Sequence, residues 1–363
     1  MGLLIDGNIK MTIFGESHGT AIGGVITGFP VGVEYDEEFV AHEMARRAPS
    51  NSSYSTKRKE ADKVIVLSGI TDNMTSGSPI AFMIENTDQH SNDYANIALA
   101  PRPSHADYTA NVRFGGFNDA RGGGHFSGRL TAPMVFAGAL CKLFLKKYDV
   151  RIGAHIRHIG DFVDDSYIDY MTHDVLDKTC GHLPTIKGDE GYIARLLEDT
   201  AKGGDSIGAV VECGAYNVEA GLGGYMADSV ESRLASIMYA IPAVKGVEFG
   251  GGADYALGRG SEKNDEYAIR DGNIVTTTNN NGGILGGITS GMPIVMSVAI
   301  KPTPSIYKEQ NSVDLATGEE TKLTIKGRHD PCVAIRAIPV VESGMAIALA
   351  DLYMEAYGYN GTK

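Results

Sequence analysis

A chain of 363 residues is longer than the usual single domain, so length suggests about two domains or one large one, and a 43% hydrophobic share supplies a sizeable core. Glycine stands at 46, where an average usage of about 7% would give roughly 25; without a Gly-X-Y period, this excess means tight turns and close backbone approaches. The net charge of −13 excludes general nucleic-acid binding, which needs a basic face, but leaves a small anionic substrate open, because a few arginines in a cleft outweigh a diffuse acidic surface locally.

In chain order, Asn8 to Phe14 and Thr20 to Thr27 read as strands on either side of the turn Gly15-Glu16-Ser17-His18-Gly19. Asp36 to Arg47 reads as a helix. Asp36 is its N-cap, Glu37 and Glu38 suit its positive first turn, and Arg46-Arg47 close it before Pro49 and a Ser/Asn-rich loop. Lys63 to Leu67 and Pro79 to Ile84 read as strands. Thr131 to Tyr148 reads as a helix that is apolar on nearly every face until Lys142, so most of its surface should be buried; Lys146 and Lys147 suit its C-terminal end. Tyr192 to Lys202 reads as a helix stopped by Gly203-Gly204. Ser206 to Tyr216 reads as a strand, Val230 to Ala240 as a helix, Val244 to Phe249 and Ile294 to Ile300 as strands, and Pro339 to Tyr357 as a long C-terminal helix. Strands and helices mix without regular βαβ alternation, which favours an α+β fold over a doubly wound sheet.

Cys141, Cys180, Cys213 and Cys332 form no C-x-x-C pair and no zinc-ligand spacing, so no metal is expected and a reducing cytoplasm fits. Met1 is not followed by a basic region and an apolar stretch, so no signal peptide is expected. The apolar run Thr131 to Leu145, broken by Lys142, is too short to span a bilayer.

Three glycine-flanked clusters carry the chemistry: Gly15 to Gly19, Arg121-Gly122-Gly123-Gly124-His125-Phe126-Ser127-Gly128-Arg129, and Gly327-Arg328-His329-Asp330-Pro331. Glycine lets backbone approach a ligand, and successive free N–H groups in a bent loop form a nest for anions. Arg102-Pro103-Ser104-His105-Ala106-Asp107 adds a stiff turn presenting Arg and His, and Lys301-Pro302-Thr303-Pro304-Ser305 offers a cation and two hydroxyls after a buried strand. Together these suggest one site for a polyanionic ligand. Ser17 also fits G-x-S-x-G, the nucleophile elbow of a serine hydrolase, but a strand rather than a helix follows it. No Walker A motif occurs, and His42-Glu43 lacks the second histidine of a zinc hydrolase.

In this order, these segments, with Glu85 to Gln89, Gly204 to Gly208, Val244 to Glu248 and Gly282 to Gly287, resemble the chorismate synthase family over nearly the whole chain. The resemblance implies one domain over residues 1–363, with antiparallel sheets sandwiching central helices, and usually a homotetramer. It implies conversion of 5-enolpyruvylshikimate 3-phosphate to chorismate by 1,4-elimination with reduced FMN, the last common step of aromatic amino acid biosynthesis. NADPH or an external flavin reductase would supply the electrons. Carried over by residue, His18 is the acid that protonates departing phosphate, His105 the histidine beside the flavin, and Asp330 the carboxylate that helps remove the C6 proton. Arg47 and Arg129 match contacts to phosphate or carboxylate of the substrate or NADP. Ser127, Gly286, Lys301, Pro302, Thr303, Pro304, Ser305 and Arg328 match flavin-binding positions. The chain departs from the family pattern at Ala48, Ser50, Ser53, Ser104, His125, Phe126, Gly128 and Pro242-Ala243. A flavin-binding paralogue with an altered substrate is the corresponding alternative.

Overall fold

The computed structural model describes residues 3–49, 62–87, 100–179, 181–325 and 330–358. Its strands are β1 (Leu3–Asp6), β2 (Lys10–Gly15), β3 (Ala21–Thr27), β4 (Val64–Val66), β5 (Ile70–Thr71), β6 (Met74–Thr75), β7 (Ile80–Glu85), β8 (Arg151–Ile159), β9 (Phe162–Val163), β10 (Ala209–Tyr216) and β11 (Val244–Phe249). Next come the hairpins β12 (Tyr267–Arg270)/β13 (Asn273–Thr276) and β14 (Ile284–Leu285)/β15 (Ile288–Thr289), the strand β16 (Ile294–Ile300), and the hairpin β17 (Gln310–Val313)/β18 (Glu320–Leu323). Two five-stranded sheets result, in the orders β1-β2-β3-β7-β4 and β11-β16-β10-β8-β9. Every pairing in them is antiparallel.

The helices are α1 (Glu37–Arg47), α2 (Asp107–Phe114), α3 (Ala132–Leu145), α4 (Glu190–Lys202), α5 (Val230–Tyr239), the short α6 (Gly260–Lys263) and α7 (Ala334–Tyr357). α3 and α7 pack on each other between the sheets. α3 touches β3, α7 touches β8 and β10, and α1 lies along both helices. One hydrophobic core therefore runs from Ile9 to Met354 and draws on both sheets. Both central helices are apolar enough to cross a bilayer, yet here they are enclosed by protein. Their backbones nearly meet: a Cβ on Gly138 would stand 2.2 Å from the Cβ of Ser343.

Lys142, the one charge in the apolar face of α3, enters a buried tetrad. Its Nζ lies 2.5 Å from Glu43 and 2.6 Å from Glu342, and Arg46 completes the set with both nitrogens 2.6 Å from the Glu342 oxygens. Burial alone would raise the Glu342 carboxyl, but Lys142 and Arg46 draw it down to about 2. Two acids and two bases thus tie α1, α3 and α7 together without net charge.

The α+β expectation holds, and most elements fall within two residues of their predicted bounds. Asp36 caps α1, its Oδ1 accepting Phe39 N–H at 2.9 Å. Three readings need correction. The strand β8 was not foreseen. α7 begins at Ala334, so Pro339 lies inside the helix rather than at its start. α3 ends at Leu145, so Lys146–Tyr148, read as the last turn of that helix, form a 3₁₀ turn, and Ser127 caps a further 3₁₀ turn, Gly128–Thr131, ahead of it.

Candidate active site

A cleft of about 640 Å³ opens where the turns before α2 and α3, the 239–245 segment, the 301–305 segment and the start of α7 converge. Ile13, Leu130, Met134, Ile241, Val244 and Val340 give it apolar walls. Among the described residues its charged lining is six cations, Arg47, Arg102, Arg129, Lys245, Lys301 and Arg336, against the single carboxylate Asp330. In a chain of net charge −13 this concentration makes the cleft locally positive.

The glycine run Gly122-Gly123-Gly124 has φ values of 60°, 89° and 53°, a conformation that L side chains rarely adopt. Two histidines use the room this frees. The buried His18 ring occupies the space a Gly122 side chain would need: that Cβ would lie 2.4 Å from its Cδ2. On the neighbouring residue, a Gly123 Cβ would lie 3.1 Å from His105 Nε2. The loop is thus held between His18 and His105. Gly122 and His105 line the cleft, and His18 stands behind Gly122. Ser17 N–H donates to Gly124 O at 3.1 Å and His125 Nδ1 donates to Gly15 O at 2.9 Å, which join the β2–β3 turn to the loop.

The nucleophile elbow is absent. β2 and β3 are antiparallel neighbours in register from Gly15↔Ile22 to Lys10↔Thr27, so Ser17 sits buried in a strand-to-strand connection with no helix behind it.

His105 is oriented by residues that sequence reasoning did not single out as site groups. Its Nδ1 lies 2.5 Å from Asp107 Oδ1. Arg102 grips the same carboxylate through Nε at 2.7 Å and Nη2 at 2.8 Å, and reaches Ser305 Oγ at 3.2 Å through Nη1. Burial would raise the Asp107 carboxyl, but the hydrogen bonds from Arg102 and His105 hold it well below the ordinary carboxylate range.

Arg47 and Arg129 do come together. Asp62, with a side chain 0% exposed, bridges them: its Oδ2 takes Arg47 Nη1 at 2.5 Å and its Oδ1 takes Arg129 Nη1. Arg47 also donates to Thr131 Oγ1 at 3.1 Å and Gly128 O at 3.0 Å, and Arg129 donates to Asn86 Oδ1 at 3.0 Å. Burial, with Arg336 and Arg129 nearby, pulls the Arg47 guanidinium down to about 10 despite Asp62. Two guanidiniums on one carboxylate leave one net positive charge. Arg336 stands beside them, donating to Arg47 O at 3.0 Å, with its own charge balanced by Asp330 at 3.0 Å.

Lys301 fastens two bent turns. Its Nζ donates to Ser104 O and its N–H donates to Ala243 O at 3.0 Å. Ser104 and Ala243 have φ of 62° and 75°, left-handed values that favour glycine. Burial and the neighbouring Lys245 lower the Lys301 ammonium pKa. Ser127, Thr303, Pro304 and Ser305 also line the cleft, whereas Gly286, in the β14–β15 turn, and Pro302 do not. Arg328 lies outside the described residues. Of the residues at unusual positions, Ser104, His125, Phe126, Gly128 and Pro242 are on the cleft wall. Asp62, Asp107 and Arg336 were missed as site groups, and Arg102 was read only as part of the turn that presents His105; the closeness of Asp107 to His105 in sequence was the available signal.

A sequence profile described as chorismate synthase matches residues 9–354. A chorismate synthase of Pyrococcus abyssi is 47% identical over 346 residues, 94% of this chain and 95% of that one. One of Thermococcus gammatolerans is 45% identical over 356 residues, 97% and 98% of the two chains. A crystal structure of a chorismate synthase superposes with a TM-score of 0.75 at 30% identity, covering 96% of this chain and 93% of the other.

Proposed function

We propose, from the chain's membership of the chorismate synthase family, that the cationic cleft is where its reaction takes place. The protein is a lyase that converts 5-enolpyruvylshikimate 3-phosphate to chorismate: the bond to phosphate breaks at one end of a 1,4-system and a proton leaves C6 at the other. The observation that carries this reading is the lining of six cations to one carboxylate around apolar walls, which suits a substrate with a phosphate and two carboxylates.

The family uses reduced flavin, and the cleft fits one. It has an apolar body for a planar ring, a Lys301/Lys245 edge for a phosphate tail, and a Thr303 hydroxyl buried without a protein partner among the described residues. Ser127, Lys301, Thr303, Pro304 and Ser305 would hold FMN. Reduced FMN, when bound, would lend electron density to the substrate as phosphate leaves and recover it as the proton is lost, so that no net redox change results.

The chain's own groups do the rest. Arg47 and Arg129, held as a unit by Asp62, bind an anionic group of the substrate. His18 gives its proton to the departing phosphate across Gly122, where no side chain intervenes. Asp330, oriented by Arg336, takes the C6 proton, and His105 stands at the flavin. The molecule works as one domain, in a cytoplasmic homotetramer. Variants test the roles. His18→Ala, His105→Ala and Asp330→Asn should each slow single turnover by about 10²–10⁴-fold, the usual range for acid–base groups, with an unchanged melting temperature. Normal rates in all three would sink the reading. Chorismate formation from oxidised FMN and NADPH alone would place the reductase on this chain; dependence on an added reductase would place it elsewhere.

A further inference from the structure

Asp107 fixes which nitrogen of His105 carries a proton, and with it how the ring can act. The carboxylate is 7% exposed and has four donors around it: Arg102 N–H at 3.0 Å, Arg102 Nε at 2.7 Å, Arg102 Nη2 at 2.8 Å and His105 Nδ1 at 2.5 Å. An ionised oxygen and an imidazole lone pair cannot share a 2.5 Å separation, since both only accept. Nδ1 must therefore carry hydrogen, and the short distance is that of a charge-assisted N–H···O⁻ bond. Arg102 Nη2, 3.0 Å from the same Nδ1, carries two hydrogens; one goes to Asp107 Oδ1 at 2.8 Å, and the shorter contact of Nδ1 to the ionised carboxylate, not this longer one, decides that Nδ1 carries hydrogen. The other nitrogen, Nε2, lies against Gly123 beside the cleft.

We infer that Asp107 is a positioning residue for the elimination: clamped by Arg102, it holds His105 with Nδ1 protonated so that Nε2 faces the ligand as the exchanging nitrogen. The inference rests on the reading of this cleft as the reaction site. Arg102 also reaches Ser305, so the clamp links the histidine to the opposite wall.

Asp107→Asn tests it. The asparagine amide is isosteric but can donate to Nδ1, which would move the proton of the neutral ring to Nε2. Histidine-selective ¹⁵N NMR on the full-length protein, with His105 assigned by its loss in His105→Ala, reads the tautomer without any substrate. Nδ1 should stay protonated throughout the wild-type titration, and Asp107→Asn should carry the proton of its neutral ring on Nε2. Single turnover should fall about 10²–10⁴-fold in Asp107→Asn with little change in KM, and Asp107→Glu, which keeps the charge, should recover part of the rate and the Nδ1 proton. An Nε2–H tautomer in wild type, or an unswitched tautomer or an undiminished rate in folded Asp107→Asn, would overturn the inference. A wild-type protein with the expected tautomer but no turnover would instead count against the proposed reaction.

Discussion

Gly122→Ala separates a catalytic His18 from a merely buried one. The new Cβ would stand 2.4 Å from His18 Cδ2, 2.6 Å from Nε2 and 3.0 Å from Ser17 Oγ. Ordinary carbon contacts begin at about 3.5 Å, so the ring must retreat by roughly 1 Å. An alanine at φ 60° adds a left-handed backbone cost of about 1–2 kcal/mol. A misplacement of about 1 Å in a reacting group can cost about 10²-fold in rate, so single turnover should drop by about that factor while the protein stays folded. The assay is anaerobic stopped flow with photoreduced FMN and substrate, with melting temperature measured on the same samples. Gly260→Ala is the control: its φ is not left-handed and its nearest neighbour is Asn264 Nδ2 at 4.0 Å, so stability should move by less than about 0.5 kcal/mol and the rate should hold. A Gly122→Ala protein that turns over at the wild-type rate would refute the role given to His18.

Glu342→Gln should destabilise by about 3–5 kcal/mol in urea unfolding, because it strands Lys142 and Arg46 in the core with only Glu43 as counter-charge. Since the Glu342 carboxyl is depressed from the ordinary 4.5 to about 2, its contribution is full above about pH 4.5 and is lost as pH falls through 2; the acid limb of stability should be shallower in Glu342→Gln. Gly138→Ala should cost about 1–3 kcal/mol by forcing α3 off Ser343, read as a lower urea midpoint at constant slope. A fluorophosphonate should leave Ser17 unlabelled by intact mass, and a stoichiometric adduct would revive the hydrolase reading.

Local chemistry made much of the fold legible. Asp36 announced α1, and the Ile294–Ile300 run, apolar except for Ser297, matched β16 to the residue. β8 escaped although Ile152, Ala154 and Ile156 alternate with Arg151, His155 and Arg157 as a strand's residues do; its polar face is covered rather than solvated, with His155 fully buried 2.9 Å from Asp164 and 3.1 Å from Glu212. Pro339 misplaced the start of α7 because proline favours a first turn, whereas here it stands in the second turn of a helix that begins at Ala334. The site was legible where glycine and histidine stood together and opaque where meaning came from distance. Nothing near Asp62 in sequence reveals that Arg129, 67 positions away, shares its carboxylate with Arg47. Ser104 showed as a departure from a pattern, and its left-handed backbone, at a φ of 62°, is one that glycine adopts more readily than serine.

The central claim is that this cleft eliminates phosphate from an enolpyruvyl substrate with the help of reduced flavin. One anaerobic experiment addresses it: protein, 5-enolpyruvylshikimate 3-phosphate and photoreduced FMN, followed by chorismate absorbance and released phosphate together. The two products should form in equal amounts, with none from oxidised FMN and loss of both in Asp330→Asn. Phosphate without chorismate, or equal turnover without reduced flavin, would contradict it.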